Sequence, residues 1–385
     1  MFFRPAAILV AFVLSTTQSL GFETRATAAY VIDQTTGTVL LSKNADAPLP
    51  PASMSKLMTL YMAFEAIADG RLRIDESLLV SQHAMSYTGS TLFLKAGERV
   101  KVEDLLRGII VLSGNDACAV IAEALSVDGT EAGFARMMTE KAKSMGMNNS
   151  TFANSNGWPA AGHRMSMKDL ALLADKLIKD YPTYYPLFAQ KEFMFDEKES
   201  QNRFNRNPLL GLGIGADGLK TGHTQEAGYG LVGSAKQGDR RVIFVITGLD
   251  SARARAEEAE KVVSWAYRQF VQKDVVKAGK TIAQAEVWNG AKDTVGLAPA
   301  TDLSLLVPAL AGDQVEASIV YKGPFEAPIA QGTPMGELII ALDGLPETRI
   351  PLVAAETVET GGFLPRMRTA TTALMRQFGA AEPAS

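Results

Sequence analysis

The chain has 385 residues, 47% hydrophobic and 21% charged, enough apolar material for a core and enough length for two or three domains. Its net charge of −4 argues against nucleic acid as the main partner. A single cysteine, Cys118, excludes an intrachain disulfide and a cysteine-built zinc site, and the three histidines, His83, His163 and His223, are far apart, so no metal or cofactor is expected.

Residues 1–21 read as an export signal. Arg4 precedes the apolar run "PAAILVAFVL", and Ser19 and Gly21 put small residues at −3 and −1 of a cleavage site. The run is too short to span a bilayer comfortably. Export with almost no cysteine fits a bacterial envelope protein that does not depend on disulfides. Next, two β-rich runs flank "QTTG" and read as a hairpin. The prolines of "PLPP" are expected to keep residues 49–51 extended. "SKLMTLYMAFEAIADG" has helical spacing and stops at Gly70. "VKVEDLLRGIIVLSGNDACAVIAEAL" reads as a helix, a short break at "SGN" and a second helix. Further helices are expected over 131–145 and 165–180. "GLKTGHT" and "GYGLVGSAKQGDRRVIFVITGL" read as consecutive strands, with "KTG" at a strand start, and "SARARAEEAEKVVSWAYRQF" as a closing amphipathic helix. Strands, many helices, strands and a helix in that order predict an α+β architecture, helices around an antiparallel sheet.

After residue 271 the pattern changes to short alternating runs such as "VEASIVYKG" and "MGELIIAL". Turn signals recur roughly every eight to twelve residues, which predicts a small all-β domain. In the last segment, 361–385, Phe363, Leu364, Met367, Ala370, Leu374 and Phe378 share one side of a helix, and Arg366, Arg368 and Arg376 lie around the other. No acidic residue occurs between 361 and 380. Such a helix suits an anionic membrane surface.

The chemistry centres on Ser53 and Lys56 in "PASMSKLMT". Positions i and i+3 share a helix face, so the lysine can reach the serine hydroxyl. To act as a base it must be neutral, which burial and a nearby second cation favour. Alone the pair is weak, since an exposed helix start has the same spelling. "SGN" at 113–115 and "KTG" at 220–222 are weak alone too. The three in this order form the serine–lysine constellation of penicillin-recognising enzymes. Cys118, on the apolar helix after "SGNDA", reads as a buried structural thiol near the cleft, where an attached thiol reagent could still inhibit by bulk.

The chain resembles the low-molecular-mass penicillin-binding proteins that are serine-type D-Ala-D-Ala carboxypeptidases. "PASMSKLMT", "FLKAGERV", "LLRGIIVLSGNDACAV", "NRNPLL" and "DGLKTGHTQEAGYGLVGSA" carry the resemblance, which runs from about residue 22 to the C-terminal helix. "NSNGWPAAGHRMSMKDLA" departs from the family's loop sequence, so no residue is assigned from it. The resemblance implies a signal peptide over 1–21, a penicillin-recognising catalytic domain over 22–270, a β-rich domain over 271–360 and a membrane-surface tail over 361–385. It implies that Ser53 attacks the carbonyl of the penultimate D-Ala and that Lys56 takes its proton. Ser113 then relays a proton to the leaving amine, and Asn115 holds Lys56 and the substrate backbone. Lys220 keeps Lys56 neutral and attracts the terminal carboxylate, which Thr221 and Arg206 also bind. Gly222 lets the peptide lie against the strand, and the backbone N–H groups of Ser53 and His223 form an oxyanion hole.

The expected partners are peptidoglycan stem peptides, β-lactams as covalent inhibitors and an anionic membrane surface, with the oligomeric state left open. The expected location is the periplasm, on the outer face of the cytoplasmic membrane. A D,D-endopeptidase on the same scaffold is the alternative. A class A β-lactamase is disfavoured because no "ExxLN" loop occurs between 135 and 205. A non-catalytic β-lactam or cell-wall binding module is disfavoured by the intact Ser53, Lys56 and Ser113.

Overall fold

The structure, a computed structural model, describes residues 22–195, 202–309, 316–341, 347–367, 369 and 371. The export segment expected at 1–21 and most of the tail lie outside the described residues. The first unit is built on a five-stranded antiparallel sheet in the order β2-β1-β7-β6-β5. Its strands are β1 (Ala28–Asp33), β2 (Val39–Lys43), β5 (Ala216–Thr224), β6 (Gly228–Gln237) and β7 (Arg240–Leu249). The expected "QTTG" hairpin joins β1 and β2, with Tyr30 opposite Ser42 and Val31 opposite Leu41.

Side chains alternate across these strands, and both faces of the sheet are covered. Ala28, Tyr30, Val232, Ile243 and Val245 point into the larger core with α1 (Lys56–Ala68), α4 (Asn115–Leu125) and α6 (Met167–Asp180). Ala29, Val31, Leu231, Val242, Phe244 and Ile246 face the opposite way, against Ala259, Val262, Val263 and Ala266 of α7 (Ala252–Arg268). Each fully buried Val, Ile or Phe contributes about 1.5–3 kcal/mol relative to exposure. The outer helices are amphipathic and capped. Ser166 Oγ accepts from Asp169 N–H at the start of α6, and Ser251 Oγ accepts from Ala254 N–H at the start of α7.

Helix α1 is different. It is buried on nearly all sides, including Lys56 at its first position, and no side chain caps it. A short 3-10 turn, Ala52–Ser55, feeds into it. Leu49 is extended, bridged to Met165. The extended conformation expected through residue 51 ends earlier, because Pro51 already has φ −82° and ψ −14°. Ala52 follows at φ 48°, a kink that non-glycine residues rarely adopt.

Between these elements lie a two-stranded ribbon of β3 (Ser77–Leu79) and β4 (Arg99–Lys101), the short helices α2 (Gln82–Met85) and α3 (Val102–Arg107), and α5 (Glu131–Ser144). A single π-helical turn over Gly108–Leu112 ends at Ser113, whose φ of 65° is left-handed, so the expected break at "SGN" is a sharp reversal into α4.

The chain continues from α7 into β8 (Phe270–Val276), which pairs with β11 (Leu303–Pro308). β9 (Ala283–Trp288), β10 (Thr294–Pro299), β12 (Glu316–Tyr321), β13 (Phe325–Glu326), β14 (Pro334–Ala341) and β15 (Thr348–Ala354) form a six-stranded sheet in the order β12-β14-β15-β10-β9-β13. Val287, Leu297, Leu305, Leu338 and Leu352 fill the core between them. This is the small β-rich unit the turn spacing predicts. Beyond it, Phe363, Leu364 and Met367 begin a helix and are exposed. Among the described residues, no helix is long and apolar enough to cross a membrane.

Candidate active site

Four chain segments converge on one cleft: the turn before α1, the reversal before α4, the loop 154–158 and the middle of β5. Lys56 is fully buried. Its Nζ lies 2.9 Å from Ser53 Oγ, 2.7 Å from Asn115 Oδ1 and 2.5 Å from the Asn156 carbonyl oxygen. The Asn115 amide is oriented by a bond from its Nδ2 to the Thr88 carbonyl at 2.9 Å, which turns Oδ1 toward the lysine. On the other side, Lys220 Nζ donates to Ser113 Oγ at 2.9 Å and to the Thr221 carbonyl at 3.3 Å. Both lysines, Ser113, Asn115 and Thr221 are buried, while Ser53 is half-buried at the mouth.

The electrostatics favour a proton-poor site. Burial lowers Lys56 to about 8 from its ordinary 10.5; Arg206 acts in the same direction, while Cys118, Asp116 and Glu131 act against it. Lys220 is lowered well below its ordinary value by burial first and then by Lys56 and Arg206. Burial, expected to act together with a second cation, is the main cause for both lysines, and Arg206 is a cation lowering both. The two lysines titrate as a pair, since charge on one raises the cost of charge on the other.

Strand β5 is the edge of the sheet, and Lys220 lies mid-strand rather than at the expected start. A Cβ on Gly222 would sit 3.0 Å from Met54 Cγ and from the Pro51 carbonyl oxygen, so the strand runs directly against the Ser53 turn. His223 follows. Its exposed ring stacks on Tyr229 at 3.7 Å, away from any proton relay. Arg206 is exposed at the mouth, where its Nη1 donates to Ser90 Oγ at 2.6 Å. Ser90 also accepts Asn115 N–H through its carbonyl at 2.7 Å, which links the arginine to the α4 reversal. Among the described residues no histidine bonds Ser53 or Lys56, and no cluster of His, Cys, Asp or Glu could hold a metal ion. Cys118 is buried, as expected of a structural thiol, and burial pushes it up to about 12, so it is neutral.

The loop from which no residue was assigned contributes directly. Asn156 supplies the carbonyl facing Lys56, and Asn154 Oδ1 accepts Gly157 N–H at 2.8 Å. The Asn–Gly pair in "NSNG" marks a turn in the sequence, but a backbone carbonyl carries no residue-type signature.

A helical layer over an antiparallel sheet, with paired serines and lysines in the cleft, is the architecture of the penicillin-binding proteins. The family model described as D-alanyl-D-alanine carboxypeptidase matches residues 14–251, and that described as the C-terminal domain of penicillin-binding protein 5 matches 270–360. The chain belongs to this D-alanyl-D-alanine carboxypeptidase family. It is 36% identical over 351 residues to D-alanyl-D-alanine carboxypeptidase DacC of Escherichia coli, covering 89% of this chain and 86% of that one. The crystal structure of penicillin-binding protein 5 from Haemophilus influenzae superposes with a TM-score of 0.75 at 30% identity, covering 88% of this chain and 98% of that one. Penicillin-binding protein D2 from Listeria monocytogenes, in its ampicillin-bound form, matches with a TM-score of 0.54 at 33% identity, covering 63% of this chain and 98% of that one.

Proposed function

We propose that the chain is a serine-type D-Ala-D-Ala carboxypeptidase that removes the terminal D-alanine of peptidoglycan stem pentapeptides and is acylated by β-lactams. The observation that carries this reading is the set of three oxygens around Lys56 Nζ. A neutral amine has two N–H bonds and one lone pair. Asn115 Oδ1 and the Asn156 carbonyl can only accept, so they take the two N–H bonds. The lone pair is left facing the Ser53 hydroxyl.

Ser53 Oγ attacks the carbonyl carbon of the penultimate D-Ala as its proton passes to Lys56 Nζ. The oxyanion is met by the N–H groups of Ser53 and His223, worth about 3–4 kcal/mol per donor. Edge-strand geometry supports the His223 donor, because alternate N–H groups of β5 have no neighbouring strand. The C–N bond breaks, and the proton that Lys56 received passes to the leaving amine by way of the Ser113 hydroxyl, which Lys220 Nζ holds in place. The terminal carboxylate docks at Lys220, Thr221 and Arg206. A carboxylate there favours the charged form of Lys220, and a charged Lys220 favours a neutral Lys56. Substrate binding thus helps set the proton arrangement that attack requires. Water then hydrolyses the acyl-Ser53 ester. A β-lactam carbonyl takes the same place, in keeping with the ampicillin-bound Listeria relative.

The functional test is D-alanine release from a pentapeptide ending in D-Ala-D-Ala. Ser53→Ala should abolish both release and covalent labelling by a fluorescent penicillin. Labelling at Ser53 without release would instead favour the endopeptidase reading, which the carboxypeptidase relatives do not.

The family membership, the export-like segment 1–21 and the basic amphipathic segment 361–385 support a periplasmic enzyme held on the outer face of the cytoplasmic membrane. Removing residues 361–385 should abolish co-sedimentation with vesicles containing anionic lipid. Unchanged binding would remove the tail from this role.

A further inference from the structure

Glu131, the first residue of α5, is buried, yet no step of the reaction above uses it. Its Oε1 accepts from Ser155 N–H at 2.9 Å, Ser155 Oγ at 2.5 Å and Asn156 Nδ2 at 3.4 Å. Its Oε2 accepts from Tyr87 OH at 2.6 Å and lies 2.7 Å from His83 Nε2. The Ser155 carbonyl in turn accepts from Thr59 Oγ1 at 2.5 Å, one turn along α1 from Lys56. One carboxylate therefore ties α5, the α2 segment and the 154–157 loop together, beside the only backbone carbonyl bonded to Lys56 Nζ among the described residues.

We propose that Glu131 is the positioning residue of this site: through Ser155 and Asn156 its carboxylate fixes the turn whose carbonyl aims the Lys56 amine at Ser53. The proposal rests on the reading of Lys56 as the base. Without the Asn156 carbonyl, the amine keeps one fixed acceptor and its lone pair is free to swing from the serine. The carboxylate also has an electrostatic effect. Burial works to raise Glu131, but its donors from Ser155, Tyr87 and His83 outweigh this and hold it below the usual carboxylate range, so it is charged. Its charge, with that of Asp116, supports the protonated form of Lys56, against burial and Arg206. Among the described residues Lys220 is a further cation near the pair, Cys118 faces it as a neutral thiol, and the buried His163, lowered to about 4 by burial and by Lys56, faces both as a neutral ring. The exposed His83 and the phenol of Tyr87 are the titratable groups on Glu131 itself.

The test measures acylation of the full chain by a fluorescent penicillin across pH, with kcat and KM on the pentapeptide, for wild type, Glu131→Gln and Glu131→Ala. Glutamine keeps an acceptor for Ser155 and offers an amide N–H to Tyr87 and His83. Its melting temperature should stay near wild type while its acylation midpoint moves to lower pH, because a charge favouring protonated Lys56 is gone. Alanine releases the turn, and acylation and kcat should fall by up to about 10²-fold while KM changes little. If alanine does not fold, the glutamine midpoint decides. Wild-type rates and midpoints in both variants, or in glutamine alone where alanine is unfolded, would overturn the proposal and leave the carboxypeptidase reading intact. A wild type that penicillin does not acylate would overturn that reading and this proposal together.

Discussion

Replacing Lys56 with methionine is expected to slow acylation of Ser53 by penicillin on the order of 10²–10⁴-fold, the usual contribution of a positioned general base. Wild-type acylation should rise with pH through a midpoint at about 8, because the reactive form is the neutral amine and burial brings Lys56 to about 8. The methionine variant should lose that rise. Arginine at the same position keeps the charge but cannot surrender a proton, so Lys56→Arg should be equally slow. An arginine variant with wild-type rate would show that the site needs only a cation. Stability should move in the opposite direction to activity. The folded pKa of Lys56 lies below the unfolded value of 10.5, so its charge opposes folding. The penalty is fully present below about pH 8, where both states are protonated, and fades as pH rises to 10.5. At pH 7 it amounts to about 3 kcal/mol. Methionine removes it at the cost of two unpaired acceptors, Asn115 Oδ1 and the Asn156 carbonyl, at about 1 kcal/mol or more each. The variant should therefore melt no lower than wild type at pH 7, a calorimetric check that separates lost chemistry from lost fold.

That pairing of a destabilising lysine with activity also explains which parts of the site could be read from the chain. Ser53, Lys56, Ser113, Asn115 and Lys220 stand out because their side-chain types and local spacing are what the proposed chemistry requires. Their convergence, with both lysines buried and Ser113 in a left-handed reversal, depends on packing that no local window contains. The antiparallel sheet and its flanking helices were legible from alternation and helical spacing. The true start of β5 was hidden, because Gly215 and Gly218 break the alternation ahead of Lys220. Asn156 and Glu131 were hidden for different reasons. Asn156 acts on Lys56 through its main chain, where residue type leaves no mark. Glu131 opens an ordinary amphipathic helix, and an acidic residue in a first turn is expected for the helix dipole alone. Its donors lie at 83, 87, 155 and 156, and only the fold assembles them.

Gly157→Ala tests whether the loop is held as tightly as this geometry demands. Gly157 has φ +83°, and a Cβ built there would lie 1.9 Å from the Ala52 carbonyl oxygen and 2.7 Å from Ser55 Oγ. Two costs add. A left-handed backbone at a residue with a Cβ costs roughly 1–2 kcal/mol. Forcing a methyl into a filled site costs about 1–3 kcal/mol more. The obstructing atom is backbone, so a rotamer change cannot relieve it. Either the loop retreats and carries the Asn156 carbonyl from Lys56, or Ala52 retreats and carries Ser53 with it. Ala52 is already kinked at φ 48°, which leaves the turn little room to adjust. Both routes separate the hydroxyl from the amine, and a shift near 1 Å costs about 10²-fold in rate. The expected result is a loss of about 2–5 kcal/mol in stability by denaturant melting, together with acylation slowed by about 10²-fold in whatever fraction stays folded. The activity loss should exceed what the unfolded fraction accounts for, since the displaced groups are the reacting ones. A variant that melts early yet acylates at the wild-type rate per folded molecule would mean that the loop yields without moving Ser53 or Lys56, and the coupling between the 154–157 turn and the base would be absent.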